Sequence, residues 1–289
     1  MTNKKLHSLC KRILSASTIE EAITILERFV RRLPEKKKRG TWGYWGARML
    51  SAMNRGEVAF FAIFAKGNGK LPFYAFSALP KYTCPGAGEC LSWCYSFRAW
   101  RYPAAFYRQL QNTLLLKFSS DTIARAYLNL PTDVDVRLYV DGDFESTERV
   151  AFWMSLCNQR EDLRNYGYSK SWAQLLEYDL NGGQWAQNYV LNISSGSIWE
   201  GHATYQQAIE NLPITRGKFV AVPIDGDGLP SGFKRYESRE YHNRVREAIV
   251  KHYGNRGFSC TGLCGSCSAS GHMCGSHRAD NIVIGIGIH

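Results

Sequence analysis

Three cysteines that lie close together, Cys84, Cys90 and Cys94, are the residues of this chain most suited to chemistry. They fall within eleven residues, on a Pro- and Gly-rich stretch between an apolar run, Phe73–Phe76, and a helical pattern that begins near Pro103. Thiolates bind soft metals, either as zinc sites or as iron–sulfur clusters. This first cysteine group therefore predicts a metal centre at the carboxyl end of a strand, where parallel α/β folds carry their sites.

A second cysteine group lies near the end of the chain, with four thiols within fifteen residues: Cys260, Cys264, Cys267 and Cys274. Several glycines between them allow the backbone to turn tightly around a centre. Four thiolates can hold zinc tetrahedrally or supply every protein ligand of a cluster. His272 and His277 are possible replacements for one thiol in a zinc site.

The two groups differ in the number of thiols that they offer to a metal. Three thiols on a 4Fe–4S cluster leave one iron open to a small molecule, whereas structural zinc needs a fourth ligand. No histidine lies near the first group in sequence, and only the fold could bring His202 or His242 to it. We therefore expect an iron–sulfur centre with an open site at the first group and an auxiliary or structural centre at the second. Zinc is the alternative for both, and simple packing in a turn-rich core is the alternative for the first.

Strands and helices alternate after the first group, with polar residues after each strand. The predicted strands are Ala59–Ala65, Phe73–Phe76, Val134–Val140, Tyr166–Ser169, Tyr189–Ile193, Phe219–Ile224 and Ile282–Ile288. The predicted helices cover two stretches within residues 4–33 and then residues 104–130, 146–159, 172–178, 204–211 and 237–253. Such units favour parallel strands with right-handed crossovers.

We therefore predict an α/β fold built as a partial parallel (β/α) barrel. A basic helical N-terminal extension occupies residues 1–55, the barrel with the first cysteine group residues 56–235, and a helix with the second group residues 236–289. At the strand ends, Asp143, Lys170 and Ser195 are the candidate cofactor-binding residues. The alternatives are a helix-capping segment for Asp143, a solvated lysine, and a plain turn at Ser195.

Charge is distributed unevenly along the 289 residues, whose net charge is +11. Residues 1–55 hold 13 Lys/Arg and 4 Glu. This asymmetry predicts a nucleic-acid partner for the basic N-terminal region, and a solvated basic surface is the alternative. No apolar run reaches the length of a membrane span, and the first residues lack the apolar core of a secretory signal. We expect a cytoplasmic protein with no membrane contact.

The order of strand, three-cysteine loop, helix and further strand–helix units resembles the radical S-adenosylmethionine (SAM) enzymes. That resemblance implies an open iron that holds SAM, and it places Asp141-Gly142-Asp143-Phe144 where those enzymes carry a motif that contacts the SAM amino group. The spacing departs from that superfamily. The first group reads Cys-x5-Cys-x3-Cys, and the usual Cys-x3-Cys-x2-Cys occurs instead at Cys260, Cys264 and Cys267.

A closer resemblance covers roughly Gly67 to Gly275. Its motifs are Gly67-Asn68-x-Lys70, Phe76-Ser77, Thr83-Cys84-Pro85-Gly86-Ala87 with Cys90 and Cys94-Tyr95, Val136-Arg137-Leu138 leading to Gly142-Asp143-Phe144, Trp153, Tyr168-Ser169-Lys170-Ser171, Ser195-Gly196 and the closing cysteines. Together they resemble the mycobacteriophage gene product 88 family, found on phages and plasmids. The resemblance implies a mobile-element origin and a cysteine-bound centre, without implying a particular reaction.

Two functions are consistent with these patterns. The first is an iron–sulfur protein of a plasmid or phage, radical-SAM-like, that acts in nucleic-acid metabolism or in the element's conflict with its host. It would carry one or two 4Fe–4S clusters, with SAM as a candidate cofactor. The second is a non-catalytic, zinc-stabilised nucleic-acid-binding protein. Whether the protein is an enzyme, and its oligomeric state, stay open at this point.

Overall fold

The computed structural model of the protein describes residues 1–57, 59–68, 71–224, 238–254, 257–264, 267, 272–275 and 281–288. The helices are α1 (Asn3–Leu14), α2 (Ile19–Arg31), α3 (Trp42–Asn54), α4 (Cys90–Trp93), α5 (Ser96–Ala99), α6 (Pro103–Phe118), α7 (Ser120–Leu128), α8 (Thr147–Gln159), α9 (Trp172–Leu180), α10 (Ala203–Glu210) and α11 (Arg239–Tyr253). The strands are β1 (Ala65–Asn68), β2 (Leu71–Ala75), β3 (Asp135–Leu138), β4 (Arg164–Ser169), β5 (Tyr189–Ser194), β6 (Thr215–Pro223), β7 (Gly257–Ser259) and β8 (Ile282–Ile288). A 3-10 turn covers Met273–Gly275.

The strands form one eight-stranded sheet in the order β1-β2-β3-β4-β5-β6-β8-β7. β1 is antiparallel to β2, and the other neighbouring pairs are parallel. From β2 to β6 the strands follow chain order, as successive crossovers of one hand produce. The predicted α/β class with a mostly parallel sheet is therefore confirmed. The carboxyl ends of β2 to β6 lie along one edge of the sheet, which we call the carboxyl edge.

The two faces of the sheet are covered differently, because successive side chains of a strand point to opposite faces. Alternate side chains of β3, β5 and β6 pack against helices, among them Val136, Leu191, Ile193, Val220 and Val222. Side chains on the opposite face pack with the second cysteine group, among them Phe73 of β2, Tyr166 of β4, Val190 of β5 and Ile284 of β8. Helices therefore cover one face, and the cysteine-rich segment covers the other.

The strand predicted over Ala59–Ala65 is wrong. The strand begins only at Ala65, and it pairs antiparallel with β2. Residues 59–64 are irregular because a side chain of α6 replaces a strand neighbour. The Gln111 amide oxygen accepts the backbone N–H groups of Phe60 and Phe61, each at 2.8 Å. Aromatic composition alone therefore gave a misleading strand signal.

Helix α3 was missed because its glycines suggest a loop. Both glycines are instead places of close contact. A Cβ atom at Gly43 would lie 2.1 Å from the Pro34 carbonyl oxygen, and one at Gly46 would lie 2.6 Å from the Tyr107 hydroxyl. The glycines therefore let α3 approach its neighbours.

The other predicted elements are present, with ends that differ by up to a few residues. The long helix predicted over residues 104–130 is divided into α6 and α7 by non-helical backbone at Ser119. Strand β7 was not predicted. The polar residues 225–227 that follow β6, the first residue of the last predicted helix (Glu237) and His277 lie outside the described residues. None of the helices within the described ranges is long and apolar enough to cross a membrane.

The N-terminal helices pack on the part of the chain that carries the first cysteine group. One hydrophobic cluster joins Leu6, Leu9 and Ile13 of α1 to Trp100 and Phe106. Thr18 caps α2, because its hydroxyl accepts the Glu21 backbone N–H at 3.2 Å, and the Glu21 carboxylate accepts the Ser17 N–H at 2.8 Å. The basic extension is therefore fixed to the sheet-bearing part by apolar contact.

Replacing Lys117 with methionine is expected to lower the free energy of unfolding by about 1 to 2 kcal/mol. The Lys117 ammonium of α6 donates to the carbonyl oxygens of Leu14 and Ala16, at 2.6 and 2.7 Å, and so holds the end of α1. Urea denaturation would measure the loss. Lys37→Met, at an exposed position, should leave the stability unchanged, and equal stabilities of the two variants would contradict the prediction.

Candidate metal-binding site

The first cysteine group lies on a loop that is fixed against the carboxyl edge of the sheet. A Cβ atom at Gly86 would lie 1.7 Å from the Lys170 carbonyl oxygen, at the end of β4. The Gly88 N–H donates to the Gly196 carbonyl at 2.9 Å, beyond the end of β5. These close backbone contacts require glycine, and they bring the cysteine loop to the place that the sequence predicts.

Asp143 lies beside this loop, and its carboxylate is fully engaged by the protein. It accepts the Ser169 hydroxyl at 2.7 Å, the Lys170 N–H at 2.7 Å and the Phe144 N–H at 2.8 Å. Burial raises the pKa of Asp143, and the hydrogen bonds from Lys170 and Ser169 oppose that rise. Asp143 therefore ties the end of β3 to the end of β4.

The two other predicted cofactor-binding residues follow β4 and β5. The Lys170 ammonium donates to the Ser194 hydroxyl at 2.6 Å. The Ser195 hydroxyl accepts the Ala221 N–H at 2.8 Å and so links β5 to β6. Next to it, the Gly196 N–H donates to the Glu200 carboxylate at 2.5 Å, so this amide already has an anionic partner within the chain. Ser195 lies at the predicted edge, but its side chain supports the sheet.

The thiols of the first group lie near Asp143 and Lys170. Cys84 and Cys90 each interact electrostatically with both residues and with Cys94. Burial raises the pKa of Cys84 and of Cys90, and the Lys170 ammonium opposes that rise in both. The structure thus brings together five of the residues predicted from sequence, with the Lys170 ammonium acting on two of the three thiols.

The second group lies on the sheet face opposite the one that the α-helices cover. Cys260 interacts electrostatically with Cys264 and Cys267, and Cys274 interacts with Cys260 and Cys264. Burial raises the pKa of Cys260 to about 11 and that of Cys274 to about 12. The four predicted ligands of this group are therefore neighbours in space as well as in sequence.

Two sulfur atoms of the second group accept backbone hydrogen bonds. The Gly262 N–H donates to Cys260 Sγ at 3.4 Å, and the Met273 N–H donates to Cys267 Sγ at 3.3 Å. Gly262 has a φ of +72°, a conformation that favours glycine. Hydrogen bonds to sulfur stabilise thiolate over thiol and tune thiolate-bound centres.

His272, the candidate replacement ligand, is held away from this role by its own contacts. Its Nδ1 accepts the Gly275 N–H at 3.1 Å, and its Nε2 lies 3.7 Å from Asp135 Oδ1. The ring packs against Phe73 and Tyr166, with centroid distances of 4.5 and 4.8 Å. His272 therefore helps to attach the cysteine segment to the sheet.

Two arginines beside the second group were missed by the sequence analysis. Arg137 stacks over Tyr168 at 4.4 Å and interacts electrostatically with Cys264, and its buried Nε has no hydrogen-bond partner among the described residues. Arg216 donates to Asn192 at 2.7 Å and interacts electrostatically with Cys274. A charged residue inside a buried strand pattern was the available signal. Both cations are placed to stabilise thiolates.

All nine cysteines are free thiols. Cys10 and Cys157, which belong to neither group, are fully buried as small apolar residues would be. Within the described ranges, no three His, Cys, Asp or Glu side chains are already arranged to hold a metal ion. The thiols of each group are neighbours, and ligation would require their side chains to turn toward a common point.

Comparison with known proteins identifies the family. A family model described as gene product 88 matches residues 49–272, which is most of the chain. No curated protein and no solved structure matches the chain. The match begins within α3 and covers the first cysteine group, the seven strands β1 to β7 and three of the four cysteines of the second group, whereas β8 follows it. The chain belongs to the gene product 88 family.

Proposed function

We propose that this protein is an iron–sulfur protein whose first cluster is bound by Cys84, Cys90 and Cys94 and keeps one iron position open. One observation carries the proposal: three thiols lie on a rigidly held loop at the carboxyl edge, next to the Lys170 ammonium. Parallel α/β proteins place their chemistry at this edge. An open iron would supply a binding position for a small molecule.

The residues around the first group suit a radical-SAM-like cofactor site. Lys170 provides a cation for the carboxylate of SAM, and Asp143 fixes the Lys170 backbone through the 2.7 Å hydrogen bond. Ser195 would hold the end of β5 in place and would not contact the cofactor directly. The strand order from β2 to β6 also accords with a partial parallel barrel.

The second group would hold an auxiliary or structural centre on the opposite face. Its four thiols, the two N–H···S hydrogen bonds and the nearby Arg137 and Arg216 favour bound thiolates there. Because burial raises the pKa of Cys260, Cys264 and Cys274, metal binding there must displace protons, so metal affinity should rise with pH.

Protein purified without oxygen is expected to be brown, to contain iron and acid-labile sulfide, and to bleach with dithionite. The triple variant Cys84→Ser/Cys90→Ser/Cys94→Ser should lose the iron that SAM perturbs spectroscopically. A matched change at the second group, Cys260→Ser/Cys264→Ser/Cys267→Ser, should leave that SAM-sensitive signal in place. Colourless wild-type protein that contains only zinc would contradict the proposal.

The second candidate function is a zinc-stabilised nucleic-acid-binding protein without catalysis. It is favoured by the second group, because four thiols with N–H···S hydrogen bonds suit a closed tetrahedral site. In that case zinc removal should unfold the cysteine-rich segment. Both functions include nucleic acid in the biology of a phage or plasmid element.

A further inference from the structure

Helix α1 and the first cysteine loop form one continuous surface. The His7 ring of α1 lies 5.1 Å from the Phe97 ring and 4.9 Å from the Trp100 ring, measured between centroids. His7 Nδ1 and the Tyr82 hydroxyl are 3.0 Å apart. Asn3 and Lys11 share the helical face of His7, because residues four apart are neighbours on a helix. The basic N-terminal region therefore lies directly beside the cysteine loop.

This surface is strongly basic. Burial lowers the pKa of His7, and the positive charges of Lys81 and Lys11 lower it further. Arg98 and Arg101 are exposed and line a cavity of about 330 Å³ with Asn3 and Phe97.

The sequence shows the same concentration of charge. Residues 1–120 hold 20 Lys/Arg and 6 Glu, and residues 121–289 hold 16 Lys/Arg and 19 Asp/Glu. Between residues 58 and 120 the single acidic side chain is Glu89. The basic part of the chain thus extends well beyond residue 55 and includes the whole first cysteine loop. A field of this sign attracts a polyanion.

Exposed aromatic rings alternate with the arginines. Tyr95 is 55% exposed and Tyr102 is 64% exposed, on either side of Arg98 and Arg101. The Tyr95 hydroxyl donates to the Val140 carbonyl at 2.6 Å, which fixes the ring while leaving much of it in solvent. Rings that stack with unpaired bases, next to cations that meet phosphates, characterise single-strand binding. A duplex would offer phosphates but no free base for these rings.

We propose that this surface, formed by Lys11, Lys81, Tyr95, Arg98, Arg101 and Tyr102, binds single-stranded nucleic acid beside the first cysteine group. The inference rests on the proposed function, because it names the class of substrate that would bind at the first cysteine group. Phosphates lie on the four cations and unpaired bases stack on the two tyrosines. Tyr95 directly follows Cys94, so the bound nucleic acid passes next to the thiols.

Fluorescence anisotropy with a labelled mixed-sequence DNA strand of about 20 nucleotides tests the proposal, since that length exceeds one stacking site. Arg98→Gln/Arg101→Gln should weaken binding at least about tenfold near 0.1 M salt, and should reduce the slope of log affinity against log salt by about 1.4. Tyr102→Ala should weaken single-strand binding at least about fivefold and leave binding of the matching duplex unchanged.

The matched control is Arg125→Gln/Lys251→Gln, which removes the same charge from two exposed positions on α7 and α11. It should bind as the wild type does. Equal loss in both double variants, no effect of Tyr102→Ala on the single strand, or binding to phosphatidylserine vesicles in place of the strand would each overturn the proposal. Iron content is measured on the same samples. If the protein contains no iron but the arginine and tyrosine variants still lose single-strand binding, only the proposed cluster is contradicted. If the protein contains iron but these variants bind as the wild type does, only the single-strand surface is contradicted.

Discussion

Replacing Gly86 with alanine is expected to abolish the metal binding proposed for the first cysteine group and to leave that proposed for the second group intact. The new Cβ atom would lie 1.7 Å from the Lys170 carbonyl oxygen, much closer than any contact between carbon and oxygen. The Lys170 backbone cannot easily move away. Its N–H is held by Asp143 at 2.7 Å, and its carbonyl accepts the Ser197 hydroxyl at 3.0 Å. The cysteine loop must therefore shift, and its thiols with it.

The same change should lower the free energy of unfolding by about 1 to 3 kcal/mol, as overpacking usually does. Native mass spectrometry of protein prepared without oxygen would report the metal bound to each variant. Gly275→Ala is the reciprocal variant, because its Cβ atom would lie 2.1 Å from the His272 ring and would disturb the second group.

The two variants therefore serve as controls for each other. Gly86→Ala should retain the metal that Gly275→Ala loses, and the reverse should also hold. Wild-type metal content in Gly86→Ala would contradict the role assigned to the loop. Loss of all metal in both variants would show that the two groups depend on one another. It would contradict the prediction that each variant loses metal from one group only.

The position of the first site could be predicted from sequence because each of its parts has a local signal. Hydrophobic periodicity and turn residues mark the strands. Right-handed crossover connections then place successive strands side by side. Asp143 and Lys170 follow neighbouring strands, so the same rule brings them to one edge. The structure adds the loop contact at Gly86, which depends on a residue more than 80 positions away.

The roles of these side chains could not be predicted, because their partners come from other strands. Ser195 is polar and follows a strand, which suggests ligand contact. Its hydroxyl instead accepts the Ala221 N–H of β6. Asp143 likewise has three donors within the protein. A polar residue at a strand end can support the edge or bind a ligand, and only the fold distinguishes the two.

The location of the second group also has no local signal. The segment returns to the helix-free face because Asn192 of β5 donates to the Cys274 carbonyl at 2.8 Å and His272 packs on Phe73. The sequence motif around Arg137 marked a family likeness without a role. Next to Cys264, this arginine becomes interpretable as a cation for a thiolate. Contacts over more than 80 residues of chain determine this arrangement.

Trp153→Ala is expected to lower the free energy of unfolding by about 3 to 5 kcal/mol. The side chain is fully buried on the helix-covered face. Its ring centroid lies 5.0 Å from that of Phe76 and 6.0 Å from that of Tyr139, and its Nε1 donates to the Tyr139 hydroxyl at 3.0 Å. Removing it would leave a large cavity and would take one donor from the Tyr139 hydroxyl, which would keep only its hydrogen bond to Glu145 at 3.2 Å. Phe76 and Tyr139 directly follow β2 and β3, so the cavity would lie close to the carboxyl edge.

Urea denaturation would measure this loss, with Trp153→Phe and Trp185→Ala as comparisons. Trp153→Phe keeps most of the volume and loses the N–H donor, so it should cost about 1 kcal/mol. Trp185 is only partly buried, and its indole N–H donates to an exposed carboxylate, so its removal should cost much less than that of Trp153.

A loss in Trp153→Ala no larger than that in Trp185→Ala would contradict the assignment of Trp153 to the core. Tyr139 has a φ of +55°, a conformation that must be held by its surroundings, and it precedes the turn that carries Asp143 by a single residue. Loosening this support should also increase hydrogen exchange at the Asp143 and Lys170 amides. The tryptophan that the family resemblance singled out would then act on the site by fixing the backbone from which Asp143 and Lys170 extend.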